Sequence, residues 1–358
     1  MDRLKGLILS GGKGTRLRPI TFTSAKQLVP VANRPVLFYG IEAMAQAGIE
    51  DIGIIIAPET GDEIRRCAGD GSQFGVRITY IVQDEPAGLA HAVLTAEPFL
   101  GSDPFVMYLG DNLLQDGISD LVDAFRAGEP DALILLTPVP DPEHYGVAEL
   151  QDGRVVRLQE KPPEPQTNLA LVGVYMFTAD IHDAARAIAP SARGELEITD
   201  AIQHLVDSGR RVEPHIVAGW WKDTGRLVDM LEANRLVLDR IARRLDGELD
   251  AASSCEGRVI VEAGATLERS TVRGPAIIGA GARLVDAYVG PYSAIGAGCV
   301  VERAEVEHSI LLEGSSVRDL DARIESSLLG REVSISRSTG QPRAYRFLVG
   351  DQSEIGIA

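Results

Sequence analysis

Up to about residue 240, short apolar runs alternate with stretches in which apolar positions recur every three or four residues. The runs at 4–9, 52–56, 78–82, 105–109 and 132–137 read as buried strands. The stretches at 36–47, 62–68, 89–96 and 118–127 read as helices between them. This alternation predicts an α/β fold: a mostly parallel sheet with helices on both faces. In such sheets ligands bind beyond the carboxyl ends of the strands. Around 145–177 the pattern turns β-rich, with strands at 147–150, 155–160 and 171–177, and reads as an inserted layer. A helical stretch at 226–245 closes this domain.

After Cys255 the period changes. Val261, Ile278, Ile295, Leu312 and Leu329 follow one another at 17 residues, as do Leu267, Leu284 and Val301, and Val272, Val289 and Val306. Three inward aliphatic positions per coil, about six residues apart, are a hexapeptide-type repeat and predict a parallel β-helix of triangular section. Arg318 and Arg323 fall where apolar residues stood before, so the last coil is expected to fray. The predicted organisation is a catalytic domain at 1–245, a linker at 246–257, a β-helix at 258–340 and a tail at 341–358.

Composition narrows the function. The 358 residues carry a net charge of −17, which argues against non-specific nucleic-acid binding. Cys67, Cys255 and Cys299 are too scattered for a disulfide framework or a zinc site. The N-terminus lacks a signal-peptide core, and no apolar run reaches transmembrane length. A cytoplasmic protein is expected.

Against the overall acidity, the first 26 residues hold six basic side chains and one acid. Leu9-Ser-Gly-Gly-Lys-Gly-Thr-Arg-Leu-Arg-Pro19 follows the first strand, and Lys26 comes seven residues later. Three glycines let the backbone turn tightly and offer N–H groups to a ligand. Lys13, Arg16, Arg18 and Lys26 supply positive charge, so a polyphosphate site is expected. The spacing is neither a P-loop nor a dinucleotide fingerprint.

Further candidates lie at strand ends. Gln83 and Gly88 follow the third strand; the Gln83 amide can read a pyrimidine edge. Asp111, after the fourth strand, and Asp223, at a strand-to-helix junction, suit Mg²⁺ or, alternatively, helix N-caps. Glu160 can accept from sugar hydroxyls. Lys161 can neutralise a phosphate, or simply form an exposed pair with Glu160. Arg193 is a further phosphate candidate, in a segment, 193–200, that reads as a helix start.

The glycine-arginine loop, Gln83/Gly88, Asp111, Tyr145-Gly146, Glu160-Lys161-Pro162, Arg193-Gly194-Glu195 and Asp223 occur in one chain and in one order. Over residues 3–240 this resembles the sugar-1-phosphate nucleotidylyltransferases, and most closely the glucose-1-phosphate thymidylyltransferases. The C-terminal coil is similar to the left-handed β-helix of their long form, frequent in deoxysugar pathways. The Lys26-Gln27-Leu28-Val29-Pro30 run resembles the thymidylyl-type motif. Leu169 departs from the short forms, which carry an aromatic residue near it.

The resemblance implies the reaction dTTP + α-D-glucose 1-phosphate → dTDP-glucose + diphosphate, with Mg²⁺ as cofactor and a homo-oligomer as the assembly. It implies catalytic roles for Arg16, Lys26, Lys161, Asp111 and Asp223, with Asp111 and Asp223 holding the metal. Leu9, Gly11, Gly12, Gly14, Thr15, Arg16, Gln27, Gln83, Pro86, Gly88 and Asp111 would bind the nucleotide. Leu89, Asn112, Tyr145, Gly146, Glu160, Lys161, Leu171, Gly173, Arg193 and Trp221 would bind the sugar phosphate. Two alternatives stand: use of UTP or another sugar phosphate, and a bifunctional enzyme whose β-helix acetylates an amino sugar. The second is weakened because His308 is the only histidine after His215.

Overall fold

The computed structural model describes residues 4–12, 14–338, 340 and 345–357. It has two compact units: Met1–Lys13, Ser24–Leu28 and Val36–Asp223, and then Gly14–Thr23, Val29–Pro35 and Thr224–Ala358.

In chain order the elements begin with β1 (Lys5–Ser10), the hairpin strands β2 (Pro30–Val31) and β3 (Arg34–Pro35), α1 (Val36–Gln46), β4 (Asp51–Ile56), α2 (Gly61–Ala68) and β5 (Arg77–Val82). Then come α3 (Leu89–Thr95), α4 (Glu97–Leu100), β6 (Phe105–Leu109), β7 (Asn112–Leu114), α5 (Ser119–Gly128) and β8 (Ala132–Pro138). β9 (Gly146–Gln151), β10 (Arg154–Glu160), β11 (Leu169–Phe177), α6 (Asp180–Ala187), α7 (Ile198–Asp207), β12 (Val212–Ile216) and β13 (Trp221–Asp223) follow; of all these, β2 and β3 belong to the second unit and the rest to the first.

Strands β5, β4, β1 and β6 lie side by side in parallel. Their side chains alternate between faces. Ile8, Ile52, Ile54 and Val106 pack with Leu37, Ile41 and Met44 of α1 and Phe125 of α5. Leu7, Leu9, Ile55 and Met107 pack with Val93 of α3, Ile181 of α6 and Ile202 of α7. Helices therefore cover both faces, as expected; each fully buried Leu or Ile stabilises by about 1.5–3 kcal/mol.

The β-rich stretch is no separate layer. β11 pairs antiparallel with β6, β8 and β9, so the stretch extends the same sheet. Eight of the nine β11 residues are buried, which places this strand centrally. The predicted helix at 226–245 is also shorter: α8 spans Leu227–Leu238. Arg244–Leu245 is instead a strand pairing with Ile260 and Val261, and Leu245 packs on the coil interior. The expected linker carries strands Glu248–Leu249 and Ser254–Glu256, each paired parallel to the next coil. Coiling thus starts near Arg244.

From there, parallel strands stack in three sheets, two of six strands and one of five, in keeping with a left-handed β-helix. Val261, Ile278, Ile295, Val272, Val289, Leu267 and Leu284 are buried inside. One expectation shifts by a residue. Ile295 stands beside Leu311, not Leu312, and Leu311 beside Leu329. A coil of 16 residues is followed by one of 18, and the two sum to twice 17. Val301 pairs with Val317 and Val306 with Ile324 for the same reason. Arg318 therefore aligns with outward Glu302, and Arg323 pairs with Glu305 and Glu307. Neither arginine occupies an inward place. At the corner three residues on, Gly264, Gly281, Gly298 and Gly314 all adopt positive φ, as does Glu332 in the last coil. The tail residues 345–357 form no helix or strand.

Candidate active site

The carboxyl ends of β1 and β6 lie side by side, with Leu9 opposite Leu109. Gly110 N donates to Leu9 O at 3.0 Å. A Cβ at Gly110 would lie 2.7 Å from Ser10 Oγ and 3.0 Å from Leu9 O, so the two strand ends approach closely there. β7 begins only two residues later, so Asp111 occupies a strand-to-strand turn and caps no helix. β13 pairs with β7, setting Asp223 opposite Asn112, the neighbour of Asp111.

Lys26 sits in the single helical turn Lys26–Leu28 and is 8% exposed. Its ammonium donates to Asp111 Oδ2 and lies 3.9 Å from Asp223 Oδ1. Asn112 Nδ2 donates to Asp111 Oδ1 at 2.8 Å. Burial alone would raise the Asp111 carboxyl, but the Lys26 charge and these hydrogen bonds outweigh it and hold it below its usual value. Asn112 Oδ1 in turn accepts from Trp221 Nε1 and, at 3.3 Å, from Gly173 N. A Cβ at Gly173 would lie 2.7 Å from Asn112 Oδ1, so Gly173 makes room for Asn112. Tyr145 meets the Trp221 ring edge-on at 5.5 Å.

The glycine turn borders two amides. A Cβ at Gly11 would lie 3.4 Å from Gln83 Oε1, and one at Gly12 would lie 3.7 Å from Gln27 Nε2. Gln83 Nε2 contacts His91 Nδ1 at 2.9 Å. Among the described residues, Ser10 Oγ and Gln27 Oε1 are buried without a hydrogen-bond partner. Leaving such an atom unpaired costs about 1–3 kcal/mol, which a bound polar ligand offsets. Gly88 has φ 105, and its Cβ would meet Leu196 O at 2.4 Å. It brings the 195–197 backbone against α3, where Ala90 N donates to Leu196 O at 3.0 Å. Pro86 is exposed, Leu89 half-buried, and Leu9 and Leu171 belong to the core.

At the far side, a Cβ at Gly146 would lie 3.1 Å from Glu160 Oε2. Glu160 lies 3.3 Å from both the Lys161 ammonium and the Arg193 guanidinium. Burial pushes its carboxyl above the ordinary value, against the pull of Lys161 and Arg193. Arg193 also grips both Glu197 oxygens at 2.8 and 2.9 Å and pairs with Glu195. Three carboxylates thus surround the Arg193 guanidinium and fix its place in this wall. The helix expected to start here begins later, at Ile198. Sequence reasoning missed Glu197, a buried carboxylate; its place four residues after Arg193 was the available signal. A groove of about 830 Å³ runs along Glu160, Lys161, Arg193 and Asp200.

Gly14, Thr15, Arg16 and Arg18 fall in the second unit. Gly14 has φ 61, and its carbonyl accepts from Thr21 Oγ1 at 2.6 Å. Thr15 and Arg16 are exposed, and the Arg18 guanidinium lies over the Phe22 ring. Lys13 lies outside the described residues. His308 stands at a coil corner, edge-on to Tyr292.

The family model described as nucleotidyl transferase matches residues 5–240. The chain belongs to the nucleotidyl transferase family. This nucleotidyl transferase is 54% identical to a glucose-1-phosphate thymidylyltransferase of Streptomyces griseus, over 99% of this chain and 100% of that one. It is 55% identical to another from Streptomyces antibioticus, over 99% of each. It is 47% identical to a low-salt glycan biosynthesis nucleotidyltransferase of Haloferax volcanii, over 99% of this chain and 100% of that one. Among solved structures, a Bacillus anthracis chain named as a glucose-1-phosphate thymidylyltransferase, in complex with a sucrose, is 39% identical with a TM-score of 0.62. That likeness covers 65% of this nucleotidyl transferase and 94% of the solved chain.

Proposed function

We propose that this nucleotidyltransferase is a glucose-1-phosphate thymidylyltransferase, making dTDP-glucose and diphosphate from dTTP and α-D-glucose 1-phosphate. The full-length identity to two relatives of that name supports this. The observation that carries it is the convergence of Lys26, Asp111 and Asp223 at the strand end from which the glycine loop departs.

The sugar phosphate oxygen attacks the α-phosphorus in line and diphosphate leaves, so the protein's task is positioning and charge neutralisation. The loop N–H groups of Gly11, Gly12 and Gly14, with Thr15 and Arg16, take the triphosphate. Gln27 and Gln83 hold the nucleoside, and Lys26 brings its ammonium to the reacting phosphate. Glu160 accepts from the glucosyl hydroxyls, and Lys161 takes the incoming phosphate. Asp111 and Asp223 suit Mg²⁺: two carboxylates converge on one cationic group, and phosphate oxygens and water would complete six oxygen ligands. Among the described residues no group of three or more metal-binding side chains competes with them. When bound, the ion neutralises charge that develops on the phosphates. The net charge of −17 favours small-molecule partners over nucleic acid, and we place the reaction in the cytoplasm.

The test is diphosphate release with Mg²⁺ and glucose 1-phosphate, comparing dTTP, UTP, ATP, GTP and CTP. We expect dTTP first, ahead of UTP by about tenfold, the worth of one methyl group in a hydrophobic contact. Preference for another base overturns the thymidylyl assignment, and no release with any overturns the reading.

A further inference from the structure

We infer that the β-helix is a positioning element for the nucleotide-binding loops, acting through a carboxamide clasp at Asn234 and Asn33. This rests on the proposed function for its kinetic consequence and on the structure alone for the clasp. Two N-terminal segments, Gly14–Thr23 and Val29–Pro35, form one compact unit with the β-helix. The first carries Thr15 and Arg16. The second is joined through Leu28 to Gln27 and Lys26.

Asn234 lies in the middle of α8 and is fully buried. Its Oδ1 accepts from Ala32 N at 2.9 Å, and its Nδ2 donates to Tyr292 O at 2.9 Å. Asn33 Nδ2 donates to Ile295 O at 2.7 Å. The two bonds grip the coil at Tyr292 and Ile295, at either end of strand Ser293–Ile295. Ala32 and Asn33 form the β2–β3 turn with φ 48 and 60. A left-handed alanine is unfavourable without a partner, and Asn234 holds the Ala32 N–H that this conformation presents. In the other segment, Ile20 Cδ1 lies 3.4 Å from where a Cβ on Gly330 would stand, so the loop after Arg16 seats on the last coil. Nothing in a solvent-exposed scaffold calls for a buried asparagine bonded at both ends of its amide. A clasp that fixes the 29–35 turn within its own unit does.

Asn33→Gly keeps the left-handed turn and removes one bond; Asn234→Ala removes two. Both are compared in the full chain with Val289→Ala, which empties space in the coil interior and removes neither clasp bond. The clasp variants should lose about tenfold in kcat/KM for dTTP, a loss of the kind small misplacements cause, with KM for glucose 1-phosphate unchanged. Val289→Ala should lower Tm and leave both constants alone. Hydrogen exchange reads the clasp without turnover: amides of 14–35 should exchange faster in the clasp variants, and those of β4 and β6 at the wild-type rate. Unchanged exchange at 14–35, or equal kinetic loss in Val289→Ala, overturns the inference. A wild type inactive with every nucleotide, but with the expected exchange change, overturns the proposed function and leaves the clasp standing.

Discussion

Lys26 is buried against one carboxylate and close to a second, and its charge is what keeps Asp111 ionised there. Lys26→Met leaves Asp111 buried without its counter-charge. We expect stability to fall by about 3–5 kcal/mol, measured by urea unfolding at pH 7. The loss should shrink at acid pH: a carboxyl held low gives stability above its unfolded value of 3.8 that disappears as pH falls through its lower folded value. Glu160 has the opposite sign. Burial raises it above 4.5, so its ionisation with rising pH works against the fold. Because the ionised carboxylate accepts from sugar hydroxyls more strongly than the acid does, kcat/KM for glucose 1-phosphate should decline on the acid side from a pH above 4.5. Glu160→Gln should lower kcat/KM and flatten that limb; a pH–rate profile of both proteins checks it.

At the scale of elements, Gly88 joins two of them. Its positive φ and the Leu196 carbonyl 2.4 Å from a would-be Cβ leave no place for a side chain. Gly88→Ala should cost about 3 kcal/mol or more in chemical denaturation, from strain and from moving the segment that ends in Glu197. The elements themselves were largely legible from sequence, since β1, β4, β5 and β6 are short, mostly apolar and bounded by turns. Sheet membership was not. β11 reads the same whether it forms a layer of its own or the middle of a larger sheet; only its partners, far away in sequence, decide. The site was legible as a set of residue types, with Lys26, Asp111 and Asp223 brought together. It was not legible as contacts: Gly173 is glycine because Asn112 needs the space, and Gly88 because Leu196 does. The two-residue strands β2 and β3 carry no period at all, so the hairpin went unseen.

Across the whole molecule, the coils of the second unit hold one another by stacking, each strand pairing with those of the adjacent coils. Stability in such a stack is a sum of local terms and falls where the interior is less well buried. Val289, Val301, Val306 and Val317 are fully buried, whereas Ile324 and Ile335 are only half-buried. Native-state hydrogen exchange should therefore show protection declining from strand Ser293–Ile295 to strands Ile324–Glu325 and Ser334–Ser336, and uniform protection would contradict it. The one-residue slip between Ile295 and Leu329 also has a practical outcome for anyone splicing coils from one such protein into another. A ruler of seventeen residues laid along the chain gives the right total and the wrong joint: cut at Leu312, a chimera turns its greasy wall outward by one residue. The dependable landmarks are the left-handed glycines, and Gly298 and Gly314, sixteen apart, mark where the seam belongs.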